Sequence, residues 1–189
     1  MDNSHKTLKQ NLKDRVESFT GESVALCYQC GKCAAGCPLI DEMDIAPNQV
    51  LRMLQLGLPN LEEKVLKSES IWLCLSCETC VSRCPKDVDI PVIMDYLRSE
   101  SREKNMVNPK AKDILSFHKA FLDSIKYFGK LSEVGLIADY KMRTFHLIQD
   151  VILAPKMFVR GKLKLVPSML KNQDAIKRIF ERTIEEKNK

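Results

Sequence analysis

Three observations predict an all-α fold. Apolar residues recur at spacings of three and four through most of the chain, only one short stretch alternates as a strand does, and prolines and glycines fall where helices would begin and end. The chain has 189 residues, 44% hydrophobic and 29% charged, with a formal charge of +5. That length suits one or two small domains with a real core. Seven glycines and eight prolines are too few for a collagen-like or low-complexity chain.

The elements follow in order. Leu8 to Phe19 has the pattern of an amphipathic entry helix. Pro47 opens a second helix carrying Val50, Leu51, Met53 and Leu54, because proline lacks only an N–H that the first turn leaves without a partner. Gly57 and Pro59 end it, and Leu61 to Leu66 forms a short helix. Pro91 opens another, with Val92, Ile93, Tyr96 and Leu97 as its apolar face. Ala111–Phe128 and Leu131–Leu153 show helical spacing punctuated by Gly129 and Pro155, and Asn172–Lys187 closes the chain as a helix. Gly161 to Pro167 alternates apolar and polar, as a short strand would.

Charge and cysteine divide the chain into two expected domains, 1–104 and 105–189. Residues 1–100 carry 11 basic and 15 acidic side chains, whereas 101–189 carry 19 basic and 10 acidic. All eight cysteines lie between Cys27 and Cys84. Met1–Asn11 is polar, without the apolar core of an export signal, and no run of about 18 apolar residues exists to span a membrane. A cytoplasmic protein is therefore expected, in which thiols stay reduced and a disulfide scaffold is disfavoured.

The cysteines form a repeat. Cys27, Cys30, Cys33 and Cys37 recur as Cys74, Cys77, Cys80 and Cys84, offset by 47 residues, with Pro38 and Pro85 after the fourth of each set. Asp44-Ile45-Ala46-Pro47 parallels Asp89-Ile90-Pro91, one residue shorter. The spacing C-x2-C-x2-C-x3-C-P is that of two-cluster ferredoxins, in which the fourth cysteine ligates the other cluster. One 4Fe–4S cluster is thus expected on Cys27, Cys30, Cys33 and Cys84, and a second on Cys74, Cys77, Cys80 and Cys37. Structural zinc is the competing reading, but it pairs two C-x2–4-C hairpins and leaves the third closely spaced cysteine surplus. A cluster with four thiolate ligands has no open iron for a substrate, so one-electron transfer is the expected role. Potentials depend on net charge, hydrogen bonds to sulfur and exposure, and the loops differ where Gly31 and Gly36 stand opposite Glu78 and Arg83. Unequal potentials are expected.

Other features carry less. Tyr28, Ile71, Trp72 and Leu73 are candidates to shield a cluster or simply to pack. Lys32 and Arg83 are candidates to tune a cluster, or are solvated charges. His5, His118 and His146 are scattered without catalytic company, so no catalytic residue is expected. No Gly-rich phosphate loop is present. The basic back half lacks a nucleic-acid motif, and Lys156, Arg160, Lys162 and Lys164 among Met157, Phe158 and Val159 suit a protein docking surface.

Cys27 to Pro38 (CYQCGKCAAGCP) resembles the first cluster loop of the small two-cluster subunit of heterodisulfide reductases, and Ile71 to Pro85 (IWLCLSCETCVSRCP) is similar to that family's second loop. Gly161–Pro167 also looks like a recurring element near the family's C-terminus. The resemblance is specific in the cysteine region and loose elsewhere. Other helical ferredoxin domains share the spacing but usually add a plant-type cluster domain or paired cysteines, and this chain has no Cys-Cys pair and no ninth cysteine. The resemblance implies an α-helical ferredoxin-like fold and an electron-relay role in a cytoplasmic complex of methanogenic archaea or their relatives. Electrons would pass from the flavin-containing iron–sulfur subunit of heterodisulfide reductase to its catalytic subunit, which reduces the coenzyme M–coenzyme B heterodisulfide. It further implies those two subunits, with an associated hydrogenase or formate dehydrogenase, as partners, and no membrane anchor or nucleic acid. An independent ferredoxin, an iron–sulfur subunit of another dehydrogenase or sulfur-oxidising complex, and a zinc scaffold remain the alternatives.

Overall fold

The computed structural model describes residues 11–145, 159–160 and 173–185. Every regular element among them is helical, so the fold is all-α. The expected Gly161–Pro167 strand lies outside the described residues, as do His5, His146 and the basic stripe apart from Arg160. Two compact units divide the chain, Met1–Ala111 and Lys112–Lys189. Residues 105–111 stay with the first unit because they bond back to it. Met106 N–H donates to the Ser101 carbonyl, Asn108 Nδ2 to the Lys67 carbonyl, and Lys110 Nζ pairs with Glu69 at 2.8 Å.

In the first unit, α1 (Leu12–Thr20) starts at Asn11, whose side chain accepts from Asp14 N–H, and ends at Gly21 in the left-handed conformation (φ 75°). The short helix α2 (Lys32–Ala35) lies inside the first cysteine loop. α3 (Pro47–Leu56) begins on proline, and Gln49 Oε1 accepts the free Ala46 N–H. Gly57 ends α3, but Pro59 is the first residue of α4 (Pro59–Leu66) rather than a second stop signal. α5 (Ser70–Leu73) leads into the second loop, which contains α6 (Thr79–Ser82). α7 (Ile90–Glu103) follows, with Asp89 Oδ1 accepting from Val92 N–H at its start.

α1 packs on α3 and α7, α4 packs on α3 and α7, and α5 packs on α7. Leu12, Val16, Val24, Val50, Leu51, Leu54, Val65, Ile71, Ile93, Met94 and Leu97 are buried and form the core. The buried face of α7 differs from the expected one. Val92 is exposed and Met94 is buried, because a helix starting at Ile90 turns positions 90, 93, 94 and 97 inward.

The second unit is built on α8 (Lys112–Phe128) and α9 (Glu133–Thr144), which pack together, with α10 (Gln173–Phe180) against α8. Ser132 caps α9 by accepting from Gly135 N–H, and its own N–H donates to Ser124 Oγ at 2.9 Å. Arg143 joins the pair, reaching Asp123 at 2.8 Å and Asp139 at 2.9 Å. The expected Leu131–Leu153 helix stops at Thr144, where Phe145 takes a left-handed φ of 59°; residues 146–153 lie outside the described ones.

Glu100 on α7 is buried beside Arg15 of α1, at 3.1 Å, with Lys104 at 2.9 Å and the Tyr96 hydroxyl at 3.0 Å. Burial alone would raise its carboxyl, but the bonds from Lys104 and Tyr96 and the charge of Arg15 outweigh that and hold it below the usual range. Because the folded value is depressed, this stability is full above the unfolded carboxylate value and is lost as pH falls through the folded one. Glu100→Gln should cost about 3 kcal/mol at neutral pH, leaving Arg15 without its buried counter-ion. Chemical denaturation between neutral and acid pH should show a shallower pH dependence for the variant than for the parent.

Candidate metal centre

The two cysteine loops have the same backbone. Gln29 (φ 64°) and Gly31 (φ 75°) in the first correspond, at an offset of 47, to Ser76 (φ 50°) and Glu78 (φ 58°) in the second. Left-handed residues alternating with right-handed ones turn successive N–H groups inward, the nest arrangement that suits anions and iron–sulfur centres. Gly31 adopts this conformation at little cost, whereas Glu78 carries a side-chain strain of roughly 1 kcal/mol. The difference between the loops at this position is therefore one of energy, not of geometry. Gly31 and Glu78 each precede the short helix that carries the third cysteine, Cys33 on α2 and Cys80 on α6.

The post-loop turn of each repeat clasps the pre-loop segment of the other. The Asp44 carboxylate accepts from Glu69 N–H at 3.1 Å, Ser70 N–H at 2.9 Å and Ser70 Oγ at 2.6 Å. Ser70 Oγ in turn accepts from Ile45 N–H at 2.8 Å. In the opposite sense, Asp89 N–H donates to Glu22 Oε2 at 3.0 Å. Burial raises the Asp44 carboxyl, but the Ser70 hydroxyl and the two N–H groups bring it below its ordinary value overall.

This interlock produces two cavities. Cys27, Cys30, Cys33 and Cys84 line one, and Cys37, Cys74, Cys77 and Cys80 line the other. They enclose about 350 and 430 Å³ of empty space, including their mouths. Each is thus walled by three cysteines of one loop and the fourth of the other. The remaining walls are mostly apolar, with Leu51 and Val88 in the first, and Leu39, Met43 and Met94 in the second. Ile90 lines both. Tyr28 lines the first cavity and is exposed, while Ile71 and Trp72 are buried in the core and line neither.

No cysteine is in a disulfide. Burial pushes the Cys33 and Cys74 thiols up, and pushes Cys80 to about 11, reinforced by the nearby Cys74 sulfur. Cys77 goes the other way, because the Thr79 hydroxyl and N–H stabilise its thiolate. Further donors face sulfur: Gln29 Nε2 lies 3.3 Å from Cys27 Sγ and Val88 N lies 3.4 Å from Cys84 Sγ. Among the described residues, no three His, Cys, Asp or Glu side chains converge closely enough to hold a single metal ion. The sulfurs instead surround spaces, and four soft donors with N–H bonds and apolar walls fit an iron–sulfur cubane. His118, on α8 of the second unit, is exposed and lines neither cavity.

Residues that sequence reasoning did not single out are Gln55 and Arg98, which cap loop carbonyls, and Ile90. The register shift between loops and helices concealed them. Arg83 is exposed, as a solvated charge is, and lines neither cavity. Its side chain crosses Gly36, its counterpart in the other loop, so closely that a Cβ on Gly36 would meet Arg83 Cδ and Nε at 2.5 Å.

The site and fold define an iron–sulfur electron-transfer protein. The family model that describes a 4Fe–4S dicluster domain matches residues 23–88, which include all eight cysteines, and the chain binds two 4Fe–4S clusters. Comparison with curated proteins finds no match. No helix among the described residues is long and apolar enough to cross a membrane.

Two outcomes follow from the loop geometry. Gly31→Ala should cost at least about 1 kcal/mol through backbone strain, since its φ is 75°. Gly36→Ala should cost no more than about 1 kcal/mol, because the atoms an added Cβ would meet belong to the far end of the exposed, flexible Arg83 side chain, and that small loss should vanish in an Arg83→Ala background. Additive losses in a denaturant double-mutant cycle would contradict the steric reading.

Proposed function

We propose that this chain is the electron-relay subunit of a cytoplasmic heterodisulfide reductase complex. In this reading Cys27, Cys30, Cys33 and Cys84 hold one 4Fe–4S cluster, and Cys74, Cys77, Cys80 and Cys37 hold the other. The observation that carries the ligand assignment is the composition of the two cavities, each walled by four cysteines with the fourth exchanged between loops. Bound there, the clusters supply one-electron transfer with no coordination position left for a substrate. The chain's own part is to hold them close, keep water from most of their faces and present the exposed cysteines, Cys30 and Cys77, toward solvent and partners.

The likeness of both loops to the two-cluster subunit of heterodisulfide reductases supports the particular complex. The electron donor is then the flavin-containing subunit, and the acceptor is the catalytic subunit, which reduces the coenzyme M–coenzyme B heterodisulfide in methanogenesis. A hydrogenase or formate dehydrogenase would feed the assembly. The second unit supports docking as its role. Phe117, Leu122 and Tyr127 of α8, Ile137 and Met142 of α9, and Phe145 are exposed on its surface, as the core of a protein interface requires.

Anaerobic purification should yield a brown protein with about eight irons, co-eluting with two larger subunits. Cys37→Ser should damage the cluster of Cys74, Cys77 and Cys80 and spare the other, read as loss of one of two EPR signals. Loss of the signal belonging to Cys27, Cys30 and Cys33 would overturn the exchanged ligation. A colourless, fully folded protein without iron would overturn the whole reading.

A further inference from the structure

We propose that Arg98 holds the two clusters at different potentials, raising that of the second loop above that of the first. The inference rests on the ligand assignment above and concerns residues outside it. The helices that follow the loops are equivalent at an offset of 43: buried Pro47, Val50, Leu51 and Leu54 of α3 match buried Ile90, Ile93, Met94 and Leu97 of α7. The next residue in each helix reaches back to its own loop. Gln55 Nε2 donates to the Val24 carbonyl at 2.9 Å and the Cys27 carbonyl at 2.6 Å. Arg98 Nε donates to the Ile71 carbonyl, and its Nη2 donates to the Cys74 carbonyl. Val24 and Cys27 match Ile71 and Cys74 at the loop offset of 47.

The same task, satisfying the carbonyls at the mouth of a loop, is thus done by a neutral amide in one repeat and by a guanidinium in the other. A cluster gains an electron on reduction, so a fixed cation beside it favours the reduced form and raises the potential. Arg98 is well placed to act. Its side chain is 19% exposed and is pinned by two carbonyls, whereas its ion-pair partner Asp95 is 59% exposed, where water screens it. Lys86, which lines the first cavity, and Arg52, whose Nη1 donates to Gln55 Oε1 at 3.3 Å, are both exposed and are screened in the same way. Arg98 touches no ligand sulfur; it is a positioning residue acting through the Cys74 carbonyl.

The test is an EPR-monitored redox titration of the anaerobically prepared holoprotein. Two midpoints are expected. Arg98→Gln, which installs the donor that Gln55 already provides in the first repeat, should lower the higher midpoint and leave the lower one in place. Arg98→Lys, which keeps the charge, should stay near the parent value. Gln55→Arg should raise the lower midpoint. Equal midpoints in the parent, or both unmoved in fully loaded Arg98→Gln, would overturn the proposal. Should Arg98→Gln lose its cluster, Gln55→Arg decides, and an unmoved lower midpoint there overturns it. Failure of the underlying reading looks different: the parent protein itself would lack two reversible one-electron steps.

Discussion

Neither cysteine loop closes its own cavity. Each brings three sulfurs and borrows a fourth from the other, and the same reciprocity governs the hydrogen bonds, with Asp44 holding Glu69 and Ser70 while Glu22 holds Asp89. The rest of the first unit depends on this exchange. A single repeat would leave an open set of thiols and an unpaired carboxylate, so the repeats have to fold as one body. The thiols of Cys33, Cys74 and Cys80 are buried enough to resist ionisation. Binding iron–sulfur must therefore displace protons as it closes the fold, which couples assembly of the cofactor to stability. The clasp of backbone N–H groups on Asp44 is the part of the frame that needs no metal.

The helices are arranged to serve that exchange. α3 and α7 each begin right after a post-loop turn, on proline or just before it, and each buries its first apolar residue at the cavities. Pro47 lines the second cavity and Ile90 lines both, so the N-terminal ends of the helices form part of the cofactor walls. Their other buried residues make the core with α1 and α4. Core and cofactor site therefore share one hydrophobic body, and a substitution such as Ile90 to a smaller residue would loosen both at once.

Much of this was legible in the sequence. Cysteine spacing, the offset of 47 and the two following prolines sufficed for the repeat, the class of cofactor and the helices. What stayed hidden depends on how the offset drifts along the repeat, from 47 in the loops to 45 at Asp44 and Asp89 and 43 in the helices. Keeping the loop offset throughout never aligns Gln55 with Arg98, and a face read by hydropathy alone places Val92 inside and overlooks Met94. The strain at Gln29 and Ser76 was hidden for another reason. Neither residue type announces a positive φ, which the loop imposes because three sulfurs must reach one space. Likewise the approach of the exposed Arg83 side chain to Gly36 depends on how the two loops pack, which spacing does not give.

Three of the positions at which the repeats differ obey different rules. Gly36 and Arg83 stand where the two loops approach each other, and the exposed, flexible end of the Arg83 side chain lies over the glycine. Gly31 and Glu78 lie in loops of the same shape with no crowding at the glycine, so the difference costs strain but changes no geometry. Gln55 and Arg98 each satisfy two carbonyls of their own loop. A difference in charge, at a position aimed at the first cysteine of each loop, is the one most open to selection on electrostatics. The frame therefore keeps the two loops alike in shape, while Arg98 in the place of Gln55 sets a pinned charge against the carbonyls of one of them.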